Sequence, residues 1–312
     1  MINRYGFYVV VKNTLILIPR NKVVYSFSSK HKPVEEAVPG DIVVFETQDA
    51  LGGQVVDEST PLESIDWSKV NPATGPLYVK GARPGDTLVV DILDIRVEDK
   101  AILVVVPGHG ALYDKEYSAK AKVLRVTRDW VEFGRLLVGS RPMIGVIGVA
   151  PREGEVPTGS LGSHGGNMDV ALITRGSTLY LPVYVDGALL AIGDLHAVQS
   201  DGELCVSAAE VPGEVTVRVG VIKGVQPSYP VLDAGDKYAI LAYGETLDEA
   251  AYRASEAAVK ALAKEHGMSF EEAYMLGSLV VDLRINQVVD PLKGVRAEIP
   301  KRYVSLNSLL ST

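Results

Sequence analysis

Val38-Pro39-Gly40-Asp41-Ile42-Val43-Val44 reads as a turn running into a strand. Proline at the second turn position and glycine at the third suit a type II turn. The β-branched residues after Asp41 suit extended backbone. The same construction returns at Arg83-Pro84-Gly85-Asp86-Thr87-Leu88-Val89. Both are read as strand starts rather than as binding elements. Around them lie short runs rich in β-branched or aromatic residues, at 8–11, 15–18, 22–27, 42–45, 77–80, 87–95 and 102–106. Further strands are expected at 143–150, 178–185, 189–192 and 215–222. The 30 Gly and 17 Pro are spread between these apolar segments, as in a turn-rich β fold.

The C-terminal third changes character. Residues 246–265 are rich in helix formers, with Thr246 and Glu249 spaced as a capping box and Gly267 placed to end the helix. Ser269 and Glu272 open a second helix, expected to run to about Arg284, with Leu276, Leu279, Val280 and Leu283 as its core face. The expected fold is therefore mainly β, with sandwich or barrel-like subdomains, an α+β portion and a C-terminal helical hairpin. Approximate divisions fall at 1–14 (an N-terminal extension), 15–140 (a β-rich domain) and 141–312 (a motif-bearing β domain with the hairpin), with the two larger parts interleaved.

Composition removes several functions. Thirty-one Lys and Arg against 39 Asp and Glu give a net charge of −8, and no basic run or aromatic-interleaved basic stripe is present, so no nucleic-acid partner is expected. A single Cys205 excludes an internal disulfide and a cysteine-only metal cluster, and fits a reducing compartment. No apolar stretch reaches the roughly 18–20 residues that span a bilayer, so no membrane partner is expected. The apolar run 5–11 is interrupted by Lys12 and Asn13 and lacks a cleavage signature, so it reads as a strand rather than a signal peptide. A cytoplasmic location follows as the expectation.

Two segments stand apart from the packing material. They are Gly162-Ser163-His164-Gly165-Gly166-Asn167-Met168-Asp169 and Gly193-Asp194-Leu195-His196-Ala197-Val198-Gln199-Ser200-Asp201-Gly202-Glu203. Two of the chain's five histidines lie here. Imidazole and carboxylate are the ordinary ligands of a divalent cation when thiolates are absent. Such a cation polarises a carbonyl and acidifies a water, and a further carboxylate can pass a proton to a leaving amine. His164, Asp169, Asp194, His196, Asp201 and Glu203 supply groups for these roles, and Asn167 and Gln199 can orient a substrate. Each segment alone also reads as a turn, since Asp, Asn and Gly are turn residues. The pairing of the two, with His196 at the end of an apolar strand, favours a site. His31, His109 and His266 read as solvated, turn and helix-end residues, and Cys205 as a small core residue. Glu46 and Asp49, at a strand end, either join the site or belong to a solvated loop.

With these residues in hand, the sequence resembles the acetamidase/formamidase family. The resemblance is carried by Gly40-Asp41 with Phe45-Glu46-Thr47 and Asp49, by Asn71-Pro72-Ala73-Thr74-Gly75-Pro76, and by 145–151. It continues through the two segments above to Asn286-Gln287-Val288-Val289-Asp290-Pro291, covering about residues 15–302 in family order. It implies hydrolysis of short linear amides, formamide- or acetamide-like, to carboxylate and ammonia. It also implies a divalent metal, zinc before calcium, and a homo-oligomer, dimer or tetramer. Carried over residue by residue, it suggests His164, Asp169, Asp194 and His196 as metal ligands and Glu203, Asp201 and Asn167 as catalytic groups. Ser200 stands where the family usually has glycine, which places the turn before Asp201 in question. Two other readings use the same residues: hydrolysis of cyclic amides (lactams) or other small C–N bonds, and non-catalytic binding of a small amide or a metal.

Overall fold

The computed structural model describes residues 15–311. The run at 8–11 and the extension 1–14 lie outside the described residues. Both Pro-Gly turns close as the sequence requires. The Asp41 N–H donates to Val38 O, and the Asp86 N–H to Arg83 O, each at 3.0 Å. Gly40 and Gly85 sit at φ 103° and 91°, which glycine adopts without strain. The strands they launch, Ile42–Thr47 and Thr87–Val97, flank one strand, Gly213–Ile222.

These three strands belong to a nine-stranded sheet. It begins with Leu15–Ile18, Ile42–Thr47, Gly213–Ile222, Thr87–Val97 and Thr178–Pro182. It continues through Val231–Asp233, Lys237–Gly244 and Lys293–Pro300 and ends at Asp282–Gln287. Strands from both sides of residue 140 share it. A seven-stranded sheet carries the polar segments, and a four-stranded sheet holds the hairpin Trp130–Phe133 and Leu136–Gly139. The apolar faces of the two large sheets meet in one cluster that includes Phe45, Leu88, Ile147, Leu179, Leu190 and Val217, all fully buried. That burial supplies the main driving force for the fold.

The far end of the nine-stranded sheet is covered by helix α1 (Leu247–His266), on which α2 (Phe270–Val280) packs. Helix α1 is capped as expected: Thr246 accepts the Glu249 N–H, and Gly267 ends it at φ 64°. Its buried face is a stripe of Ala250, Ala254, Ala257, Ala258 and Ala261, small enough to lie close on the sheet. The Ser269/Glu272 capping box opens α2. Helix α2 does not reach Arg284. It stops at Val280, and residues 282–287 form a strand against Lys293–Pro300, with Ile285 opposite Val295. Sheet pairing therefore overrides the helical spacing. The expected core face holds in part: Leu276 and Val280 pack against the core beside buried Ala273 and Gly277, whereas Leu279 is 82% and Leu283 47% exposed. The segment 151–169, dense in Gly, Ser and Pro, contains the short strands Glu155–Pro157, Leu161–Gly162 and Gly165–Asn167. Among the described residues no helix is long and apolar enough to cross a membrane.

Candidate active site

One strand brings the two polar segments together. Met143–Gly148 pairs on one side with Gly165–Asn167 and on the other with Leu190–His196. Val146 is opposite both Asn167 and Gly193. Gly145 lies between Asp169 and Asp194, and a Cβ there would fall 2.4 Å from Asp194 Oδ2 and 2.5 Å from Asp169 Oδ1. Only glycine leaves room for both carboxylates.

His196 is the centre of the arrangement and is fully buried. Its Nδ1 lies 2.8 Å from Gln199 Oε1, and Gln199 Nε2 donates to the Asp169 carbonyl at 2.8 Å. Because the Gln199 oxygen can only accept, Nδ1 carries the hydrogen and Nε2 is turned toward the acids. Asp194 Oδ1 and Glu210 Oε2 stand 3.2 and 3.1 Å from Nε2. Two overlapping triads result, Asp194–His196–Glu210 and Asp169–His196–Glu203, each with ligand atoms within 4.8 Å of one another. Asp290 joins the edge of the cluster, accepting from Asn167 Nδ2 at 2.9 Å.

Crowding these acids in a buried place disturbs their protonation. Burial first, and then the Asp194 charge, push Asp169 up to about 7. Burial lifts Glu210 to about 8, against the pull of His196. Burial and the neighbouring Asp169 raise Glu203 well above the usual carboxylate range, and burial does the same for Asp290. Burial also resists ionisation of Asp194, but the His196 charge outweighs it and holds the group below its ordinary value. Burial disfavours the imidazolium of His196, yet Glu210 and Asp194 raise it well above 6.5. Asp169 Oδ1, Glu203 Oε2, Glu210 Oε2 and Asn167 Oδ1 are all buried without a hydrogen-bond partner. Orphaned buried acceptors of this kind are costly unless something positive or hydrogen-donating meets them.

Backbone strain gathers at the same place. Among the described residues seven non-glycines have positive φ, and five of them, Asn71, Asp169, Asp194, Glu203 and Val206, belong to the cluster or its cavity. Left-handed backbone in such residues persists only where the surroundings enforce it, and functional sites are where it concentrates. The cavity above the acids has a volume of about 160 Å³. Asp194, Glu203, Glu210, Asp290 and Asn167 line its polar part, and Leu51, Val70, Val104, Val206 and Val289 its apolar walls. Trp67 stands at the rim, its ring stacked on His109 at 6.5 Å.

The remaining sequence candidates are placed elsewhere. His164 is buried against Phe27, with ring centroids 5.0 Å apart, and it belongs to neither triad. Burial lowers its pKa to about 4, so it is neutral. Asp201 is half-exposed and forms a bidentate pair with buried Arg296, at 3.0 and 2.6 Å. Arg296 also binds Glu298 and Asn286. Asp201 thus anchors the turn before Glu203 instead of entering the cluster. That turn closes by Glu203 N–H donating to Ser200 O at 3.2 Å, and Ser200 is outside the positive-φ region, so its Cβ is accommodated. Asp49 accepts the N–H groups of Leu51 and Gly53 on the cavity loop, and burial raises its pKa. Cys205 is half-buried and free. Sequence reading left out Glu210, although a lone acid in Ala208-Ala209-Glu210-Val211 is itself a signal.

The acetamidase/formamidase family profile matches residues 27–158 and 155–302. The chain belongs to the acetamidase/formamidase family. A solved acetamidase of Bacillus halodurans superposes with a TM-score of 0.91 at 41% identity, covering 94% of this chain and 99% of that one. A formamidase of Methylophilus methylotrophus is 30% identical, over 81% of this chain and 82% of its own length. A γ-lactamase of Delftia acidovorans is more distant, with TM-score 0.64 and 25% identity over 92% and 90% of the two chains. Family membership makes this chain an amidase, a hydrolase of carbon–nitrogen bonds in linear amides.

Proposed function

We propose that the cavity hydrolyses formamide- or acetamide-like amides to carboxylate and ammonia with the help of one divalent cation, zinc before calcium. One observation carries this: four buried carboxylates and one buried histidine, with the half-buried Asp290 at their edge, converge beneath a cavity of about 160 Å³. The donor set fits a cation. Gln199 presents His196 Nε2 to Asp194 and Glu210, and Glu210 Oε2, 3.1 Å from that nitrogen, makes no hydrogen bond. In the metal-free chain a proton on Nε2 occupies the position where these three residues would hold the ion. Mixed imidazole and carboxylate ligation suits Zn²⁺. When bound, such an ion supplies Lewis acidity to an amide carbonyl and lowers the pKa of a water.

The other groups have separate work. Asn167 is fixed by the hydrogen bond its Nδ2 donates to Asp290, which leaves its Oδ1 to accept an N–H of the substrate amide. Burial and then the Asp169 charge raise Glu203 well above the ordinary carboxylate range, which favours its protonated form. Glu203 lines the cavity, so it passes that proton to the departing nitrogen. The walls of Leu51, Val70, Val104 and Val289 exclude water and limit the acyl group to a short one. A second reading, a cyclic amide substrate, draws on the resemblance to the γ-lactamase.

The test is ammonia release from formamide, acetamide and a γ-lactam, before and after removal of metal with a chelator. Linear amides are expected to turn over and chelation to abolish it, with recovery on adding Zn²⁺. Full activity in metal-free protein would overturn the cation's role, and turnover of the lactam alone would replace the substrate.

A further inference from the structure

The last strand of the nine-stranded sheet, Asp282–Gln287, pairs with Lys293–Pro300 on one side; on its outer edge Gly202 meets Asn286 and Gln287, and no described residue pairs with 282–285. Its first four residues are exposed. Beside it, α2 exposes Phe270, Tyr274, Met275 and Leu279, the last at 82%. Leu283 and Tyr274 line one shallow groove with Val281 and Gly277. A bare strand edge next to apolar surface is a template for another strand, and folded chains seldom leave it uncovered.

The sequence of this edge is self-complementary. Val281-Asp282-Leu283-Arg284-Ile285 places an acid and a base symmetrically about Leu283, with apolar residues at both ends. Val281 already has extended backbone, at φ −108° and ψ 121°. In an antiparallel pairing of two copies centred on Leu283, Leu283 meets Leu283, Asp282 meets Arg284, and Val281 meets Ile285. Directly opposed residues point to the same face, so each acid lies beside a base twice over. Neither Asp282 nor Arg284 forms an ion pair among the described residues. An edge carrying one sign of charge would repel its own copy; this one attracts it in a single register.

We propose that this face binds a second copy of the chain by edge-to-edge pairing of 281–285 about a two-fold axis, continuing the sheet from one protomer into the next. Such an interface is isologous, as two-fold contacts must be. The apolar side chains of α2 and of Leu283 and Ile285 flank the new pair and exclude water from it.

The experiment measures self-association of the intact protein by analytical ultracentrifugation. The unmodified chain is expected to be at least a dimer at micromolar concentration. Asp282→Arg and Arg284→Asp, made singly, are each expected to weaken association at least about tenfold, because each sets like charges opposite one another across the axis. The double reversal D282R/R284D restores opposite pairs and is expected to recover affinity to within a few-fold. Leu283→Lys, which opposes two lysines at the axis, is expected to yield the next smaller species. Circular dichroism and retained amide hydrolysis establish that the variants fold. A monomeric parent, an assembly indifferent to the single reversals, or a double reversal no better than the singles would overturn the proposal.

Discussion

Asp41 and Asp86 are as buried as Asp169 and Asp194, yet the two pairs live in opposite circumstances. The turn carboxylates are answered on every side. Asp86 accepts the N–H groups of Arg83 and Gly224 and pairs with Lys223; burial resists its charge, but these partners hold it below the ordinary carboxylate range. The site carboxylates face one another, Asp169 keeps an oxygen without a partner, and both sit on left-handed backbone. Burial alone thus says little about what an acid does. A buried carboxylate whose lone pairs are all met holds a turn together. A group of them left short of positive charge, on strained backbone, holds a place for something else.

The sharpest way to break this contrast is to remove the proposed proton relay while keeping its shape. Glu203→Gln is expected to lower kcat for formamide about 10³-fold, within the range for loss of a general acid–base. Thermal stability should be kept or raised, since a repelling buried acid becomes neutral. A variant of unchanged kcat would move the relay to another residue.

His164 gives the next largest effect, on stability rather than turnover. Burial holds it near pKa 4, below its ordinary 6.5. Between pH 6.5 and 4 the unfolded chain therefore takes up a proton that the folded chain refuses. Its contribution is intact above 6.5 and is lost as the pH falls to 4, a change of about 3 kcal/mol. Chemical denaturation across this window should show a shallower pH dependence in His164→Asn than in the parent. Equal slopes would mean that His164 titrates normally.

Asp86→Ala tests the other side of the comparison. It strands two backbone N–H groups and should cost about 2 kcal/mol of stability, with the exposed Lys223 contributing little. Specific activity of the folded protein should not change. Asp201→Asn is expected to have the smallest effect, a loss of at most about tenfold in kcat through a loosened Glu203 turn, as misplacement of a catalytic group does. A loss equal to that of Glu203→Gln would put Asp201 in the chemistry.

Much of this was legible in the chain itself because it depends on near neighbours. The Pro-Gly-Asp turns, the caps at Thr246 and Ser269 and the stop at Gly267 are local devices, and each appears where the sequence puts it. The two segments rich in Gly, His and Asp also announced themselves, since such polar density is foreign to a packed sheet. What was hidden depends on distant partners. Asp201 reads as one more acid of the site until Arg296, 95 positions away, comes to meet it. Leu283 keeps a helical spacing with Leu279, and only the pairing with Ala297 turns it into strand. Glu210 belongs to the cluster through a bridge between its backbone and that of His196, which no spacing rule contains.

The central claim is that Asp194, His196 and Glu210 hold a cation where the metal-free chain holds protons. Calorimetric titration of chelator-treated protein with Zn²⁺ at pH 7, in two buffers of different ionisation heat, counts both ions bound and protons released. Metal binding to protonated ligands must release protons. One ion per chain is expected, with at least one proton released, and His196→Ala should weaken binding at least about tenfold. No binding, or equal binding by His196→Ala, would contradict the claim.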